Sequence, residues 1–158
     1  MKTSCISENA PRQPTQVAGL RGGAIAWFSS GLAENRPCCC ILPDEQQVQD
    51  LEQDLALFSP NPVIAFPGYE IPPYTPLSPD QRTTAERLSA LYRIAESREP
   101  FLLVVSIEAL LRRVMSRKTL LDSAELLLAG EDFDLEHLRR QLANLGYEQV
   151  ALVKTIGD

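Results

Sequence analysis

Apolar positions in this chain alternate between helical spacing and short continuous runs, and the switches between them mark out its elements. From Ala24 to Glu34 the spacing predicts a helix with Ala24, Trp27, Phe28, Gly31 and Leu32 along its inner face. Pro37 ends it, and the apolar run Cys38 to Leu42 predicts a fully buried strand. Asp44 is then placed as a helix N-cap, with Gln47 completing a capping box ahead of Val48, Leu51 and Leu55. A second strand, Val63 to Phe66, follows the turn made by Pro60 and Pro62. Pro67, Pro72, Pro73, Pro76 and Pro79 forbid a continuous helix and interrupt any ladder, so this stretch is expected to be an ordered loop. A helix from about Asp80 to Ser97 comes next, with Ala85, Leu88, Leu91, Tyr92 and Ala95 expected inward. Phe101 to Val105 predicts a third buried strand, and Ser106 can cap a short helix carrying Ile107, Leu110, Leu111 and Val114.

Strands alternating with helices imply an α/β fold, a parallel sheet flanked by helices on both faces. The pattern changes near Arg117. Beyond it, Leu126 to Ala129 predicts a strand, and Asp134 to Leu145 a helix with Leu135, Leu138, Leu142 and Leu145 inward. Gly146 is placed to end that helix, and Val150 to Val153 is a last strand. One strand-helix-strand unit cannot bury both of its faces. The expected division is a flexible polar tail over 1–16, an α/β domain over 17–117, and over 118–158 the start of a second, incomplete α/β domain.

Composition changes this picture little. The 158 residues are 44% hydrophobic and 23% charged, as in ordinary globular proteins. No apolar run approaches the roughly 20 residues of a membrane-spanning helix, and Met1 to Pro14 lacks a signal-peptide core, so no membrane partner and a cytoplasmic location are expected. A formal net charge of −6 weighs against autonomous binding to nucleic acid. Of the four cysteines, Cys38, Cys39 and Cys40 are consecutive, so in a strand they alternate between faces and cannot converge on one ion. No metal site is expected.

Gly19 to Ala26 invites comparison with a phosphate-binding loop, G-x-x-x-x-G-K-[ST], whose lysine reaches the outer phosphates and whose hydroxyl holds magnesium. Here Gly19 keeps the first glycine, and Gly22 and Gly23 lie inside the loop. The second glycine falls on Ala24, the lysine on Ile25 and the hydroxyl on Ala26. The cation and the metal ligand are both missing, so no nucleotide cofactor is expected. Taken alone, the residues fit equally a degenerate nucleotide loop and a glycine turn with no nucleotide history.

Further along stand Phe66-Pro67-Gly68-Tyr69-Glu70-Ile71-Pro72-Pro73-Tyr74, then Leu77-Ser78-Pro79, Glu86-Arg87-Leu88 and Leu91-Tyr92. Val104-Val105-Ser106 and Leu145-Gly146-Tyr147 follow, with Val153 and Gly157 downstream. In order and spacing these resemble the N-terminal module of the bacterial transcription-repair coupling factors, over about residues 17–158. The resemblance implies a fold like the first domain of the excision-repair protein UvrB, with a degenerate nucleotide loop, followed by the start of its second domain. It implies a non-catalytic interaction module that recruits UvrA, masked by another part of the resting protein. The ATP- and magnesium-dependent motor that translocates on DNA and displaces stalled RNA polymerase belongs elsewhere in such a protein. The family's arginine-containing UvrA-contact strand falls just beyond Asp158, so UvrA binding by this chain is expected to be weak or lost. UvrB itself is a poor match. It has a lysine in its loop and an aromatic hairpin that clamps DNA, whereas Thr75 to Glu86 here contains no aromatic residue. The competing reading is an autonomous P-loop-like nucleotide-binding domain with an unusual loop.

Arg112, Arg113, Arg117 and Lys118 form the densest basic cluster, fit to touch a nucleic-acid backbone or an acidic partner, or simply to be a solvated helix end. Arg139 and Arg140, opposite Leu138 and Leu142, are candidates for a partner surface. His137, the single histidine, is expected at the surface, Trp27 in the core, and Glu70 holding the proline loop through backbone N–H groups. No catalytic pair is identified.

Overall fold

The computed structural model describes residues 15–72, 75–124, 129–130, 132, 134–150 and 152. Its elements are α1 (Gly23–Leu32), β1 (Cys38–Leu42), α2 (Glu45–Phe58), β2 (Val63–Phe66), α3 (Gln81–Glu96), β3 (Leu102–Ser106), α4 (Ile107–Leu111), α5 (Arg117–Ser123) and α6 (Leu135–Asn144). The strands form a parallel sheet in the order β1-β3-β2, with Cys38 and Val63 both in register with Leu102. This is the expected α/β architecture.

Helix starts are fixed by side chains where the sequence signals them. The Asp44 carboxylate accepts from the Gln47 backbone N–H at 2.8 Å, while the Gln47 amide donates to the other carboxylate oxygen at 3.0 Å. Ser106 Oγ accepts from the Ala109 N–H at 3.1 Å and so starts α4 directly from the end of β3. Gly146, at φ 93°, closes α6 in the left-handed conformation that glycine tolerates. Helix α5, begun by Ser116, lies where the sequence pattern gave no element. The expected strand at Leu126 to Ala129 falls largely outside the described residues, and the one at Val150 to Val153 likewise. So do Cys5, Pro73, Tyr74 and Gly157.

The sheet separates two cores. On one face α1 and α2 bury Ala26, Ala33, Val48, Leu51 and Leu55 against Leu102 and Val104, with Cys38, Cys40 and Val63 beside them. On the other, α3 and α4 bury Ala90 and Ala109 against Ile64, Phe66, Phe101 and Val105. Each large aliphatic side chain fully buried here, such as Leu55 or Leu102, contributes about 1.5–3 kcal/mol.

Four expectations about which face is buried are corrected. In α1 the buried residues are Ala26, Ser29, Ser30 and Ala33, while Trp27 is 66% exposed. Small side chains let α1 approach the end of α2, where Ser30 Oγ donates to the Phe58 carbonyl and Asn61 donates to the Ala33 carbonyl. In α3, Thr83, Arg87 and Ala90 are buried and Leu88 is exposed, because the helix turns toward Phe66 and Tyr69. Strand β1 is buried on one face only: α3 packs on β2, not on β1, leaving Cys39 and Ile41 exposed. In α6, finally, no residue is buried, and Leu135 and Leu145 face solvent rather than a core. Among the described residues no helix is long and apolar enough to cross a membrane.

Candidate functional site

The glycine loop enters α1 through two left-handed residues, Gly19 at φ 86° and Gly22 at φ 52°. Its first free N–H groups are already engaged: Ala24 donates to the Arg21 carbonyl at 3.2 Å and Ile25 to the Gly22 carbonyl at 3.0 Å. The first turn of α1 carries no charged side chain, and Ile25 stands partly in solvent. Gly23 lies against the ring of Phe58, where an added Cβ would come within 3.2 Å of the ring. Phe58 closes α2, which leads into the amino end of β2. The loop thus starts away from the carboxyl ends of the strands, where open α/β sheets bind their ligands.

The polar groups of the molecule converge instead at those carboxyl ends, around the proline loop. Arg87, only 3% exposed, lies between two rings, its guanidinium carbon 4.1 Å from the centroid of Phe66 and 4.4 Å from that of Tyr69. Its Nη1 donates to the Pro67 carbonyl, while Nη2 is buried without a hydrogen-bond partner. Desolvation lowers the Arg87 pKa and the neighbouring Arg112 adds to this, against the pull of Tyr69 and Glu45. Arg112 donates to the Ile71 carbonyl at 2.9 Å, so two arginines, one within α3 and one just after α4, grip the loop backbone four residues apart. Thr75 Oγ1 closes the next turn onto the Pro72 carbonyl at 2.9 Å.

A second chain of contacts runs beneath the first. The Ser106 hydroxyl donates to the Glu45 carboxylate while its oxygen caps α4. The same carboxylate oxygen sits where a Cβ on Gly68 would approach to 2.6 Å, so only glycine fits that position without displacing Glu45. Glu45, Gly68 and Ser106 therefore tie the ends of β1, β2 and β3 together. With Ser106 fully buried and its hydroxyl committed at both ends, this arrangement positions a loop; it does not present a nucleophile.

The basic cluster does not stay together as one surface. Arg112 belongs to the loop clamp, and Arg117 donates to the Ala95 carbonyl at 2.8 Å, closing the C-terminus of α3. Arg113 and Lys118 remain exposed. Arg139 pairs with Glu136 at 2.7 Å, and Arg140 donates to the Glu136 carbonyl at 3.3 Å, both on the exposed side of α6 with His137. Glu70 is exposed, and among the described residues the hydrogen bonds that other elements make to the loop come from Arg87 and Arg112. The signal for Arg87 was present in the sequence as Thr83, Arg87 and Ala90, spaced i, i+4, i+7 on one helical face. A hydrophobic reading passes over it because the middle residue is charged. Glu45 and Ser106 are far apart in sequence and carried no such signal.

The fold and the loop together define a class: a parallel α/β unit with helices on both sides of its sheet, a glycine turn leading into its first helix and a clamped proline loop at the carboxyl edge. No protein-family model matches the chain. It is similar over 96% of its length to the transcription-repair-coupling factor of Myxococcus xanthus, at 31% identity. It is similar at 30% identity over 88% of its length to that of Escherichia coli, and at 28% over its full length to that of Haemophilus influenzae. The chain belongs to the transcription-repair-coupling factor family. It spans 12% to 14% of the length of these curated relatives.

Proposed function

We propose that this chain is the UvrB-like, N-terminal interaction module of a transcription-coupled repair factor and is itself non-catalytic. In this reading the parent protein displaces stalled RNA polymerase by ATP-driven translocation on DNA and recruits UvrA through this region. ATP and magnesium are handled elsewhere in that protein. Residues 118–158 are assigned in this reading to a second domain; the uncovered apolar face of α6 supports this for α6, whereas α5 packs on α3. The observation that carries the reading is Ile25 at the position of the phosphate-binding lysine, with the Ala24 and Ile25 N–H groups already bonded within the turn. A helix start so occupied gives a triphosphate no lysine at the loop position and holds back two of its backbone donors.

Calorimetric titration of the chain with ATP and magnesium tests the non-catalytic part. No heat of binding is expected up to about 1 mM ligand, an affinity of about −4 kcal/mol. Micromolar binding would instead establish the chain as an autonomous nucleotide-binding domain. Recruitment is tested by pull-down with UvrA, using this chain and a version lengthened by about sixty residues of its parent, enough to complete a small domain. Weak or no capture by the first and clear capture by the second is the expected result. Failure of both, with both folded, removes the recruitment role.

A further inference from the structure

We propose that the outer edge of β2 is a docking groove for an extended, basic segment of a partner protein, which adds to the sheet as a strand. In a parallel ladder successive residues turn their backbone groups to alternate sides. Leu102 donates to the Pro62 carbonyl at 3.0 Å, so Pro62 and Ile64 face β3 while Val63 and Ala65 face away from it. Among the described residues β2 pairs only with β3. A groove of about 640 Å³ opens along this side, floored by Val63, Ala65 and Pro67 and walled by α2 and α3.

The backbone groups along this floor are not all free. Arg93 reaches the Val63 carbonyl at 3.4 Å from an exposed position, and Arg87 holds the Pro67 carbonyl from a buried one. Between these two capped carbonyls the N–H and C=O of Ala65 point into the groove, the donor and acceptor that an added strand needs. Three residues of an incoming segment span that gap at about 3.3 Å each.

Charge selects the occupant. Glu45, Glu52 and Glu86 line the groove against a single cation, Arg93. Glu52 stands exposed on the α2 wall, and Glu86 on the α3 wall shares its charge only with a solvent-exposed Arg82 at 3.0 Å. A segment with alternating apolar and basic residues would set its apolar side chains beside Val63 and Pro67 on the α2 side and turn its cations to the α3 side, toward Glu86. A second copy of this acidic chain, net charge −6, is disfavoured by the same carboxylates.

The test is an NMR titration of the isotope-labelled chain with the synthetic peptide acetyl-SKVRVKS-amide and its charge-reversed counterpart acetyl-SEVEVES-amide. The Val63 and Ala65 amide signals are expected to move saturably with the basic peptide, with exchange of the Ala65 amide slowed about fivefold or more. The acidic peptide should bind at least about tenfold more weakly. The double variant Glu52→Lys, Glu86→Lys alters only exposed walls and should invert that preference while leaving the rest of the spectrum in place. Equal binding of the two peptides, an unmoved Ala65 amide, or shifts confined to the opposite edge at Cys39 and Ile41 would each overturn the proposal.

Discussion

The glycine loop and the proline loop differ in a way their sequences do not advertise. The glycine loop has the outline of a nucleotide site, yet its neighbours are backbone carbonyls of its own turn and the ring of Phe58. The proline loop has no such outline, yet two arginines, a glutamate and a buried serine converge on it. Conformational need explains both. A glycine turn satisfies its own N–H groups, whereas a proline-rich loop has few N–H donors and leaves carbonyls that other elements must cap. Long-range polar contacts therefore gather where proline has removed the local ones.

The contrast is broken most severely at Arg87. Replacing it with alanine leaves the Pro67 carbonyl uncapped and opens a gap between Phe66 and Tyr69. The expected loss is about 3 kcal/mol of unfolding free energy by chemical denaturation. Arg87→Lys keeps the charge but not the planar face that lies between the rings, and should recover less than half of that loss. If lysine restores full stability, the ring contacts contribute nothing and the clamp is only a charge. Arg93→Ala, six residues along the same helix but exposed, should cost less than about 0.5 kcal/mol.

Gly68→Ala comes next in size. The new methyl group meets the Glu45 carboxylate at 2.6 Å, and that carboxylate is held by Ser106. The substitution should cost about 1–2 kcal/mol by forcing Glu45 to swing away. Pairing it with Ser106→Ala should cost less than the sum of the two single changes, because either one already releases Glu45. Strict additivity in that double-mutant cycle would separate Gly68 from the Glu45–Ser106 contact.

How much of this was legible beforehand follows from the range of each interaction. Strands β1 to β3 and helices α2 and α3 were readable because local pattern and caps such as Asp44 and Ser106 act over three or four residues. The buried face of α1 was misread because Trp27 and Phe28 outweigh Ala26, Ser29 and Ser30 in a hydrophobic pattern, although close helix packing prefers the small residues. Strand β1 was misread because its composition cannot say that α3 covers β2 and leaves Cys39 and Ile41 bare. For the site, Ile25 in place of lysine was fully legible. The Glu45–Ser106 contact, spanning 61 residues, was not, since nothing local records it.

A smaller effect comes from the thiols of β1, where burial raises the pKa on both faces, at Cys39 and at Cys40. Desolvation raises the pKa of the Cys40 thiol above its ordinary 9.0, and the neighbouring cysteines add to this against a lowering hydrogen bond from Ser29. With the folded pKa raised, the unfolded chain loses the thiol proton first. This contribution to stability is intact below pH 9.0 and declines as pH rises past it. Cys40→Ala should flatten part of the alkaline decline seen in denaturant melts between about pH 8 and 10. An unchanged slope would show that Cys40 is as hydrated in the folded chain as in the unfolded one.

Little change is expected where the sequence looks most functional. Ala24→Gly, Ile25→Lys and Ala26→Ser together rebuild the outline of a phosphate loop. Ile25 and Ala24 are exposed, so their replacement touches little of the core; Ala26 is fully buried, and serine there adds one hydroxyl close to Ser29 and Ser30. Stability should fall by no more than about 1 kcal/mol, a third of the effect of Arg87→Ala. ATP affinity should stay weaker than about 1 mM, because a cation alone does not free the N–H groups now bonded to Arg21 and Gly22. Micromolar ATP binding by the rebuilt loop would show that only side chains were lost and that the backbone frame still fits a phosphate. That result would make the glycine loop, rather than the clamped proline loop, the part of this fold nearest to a ligand site.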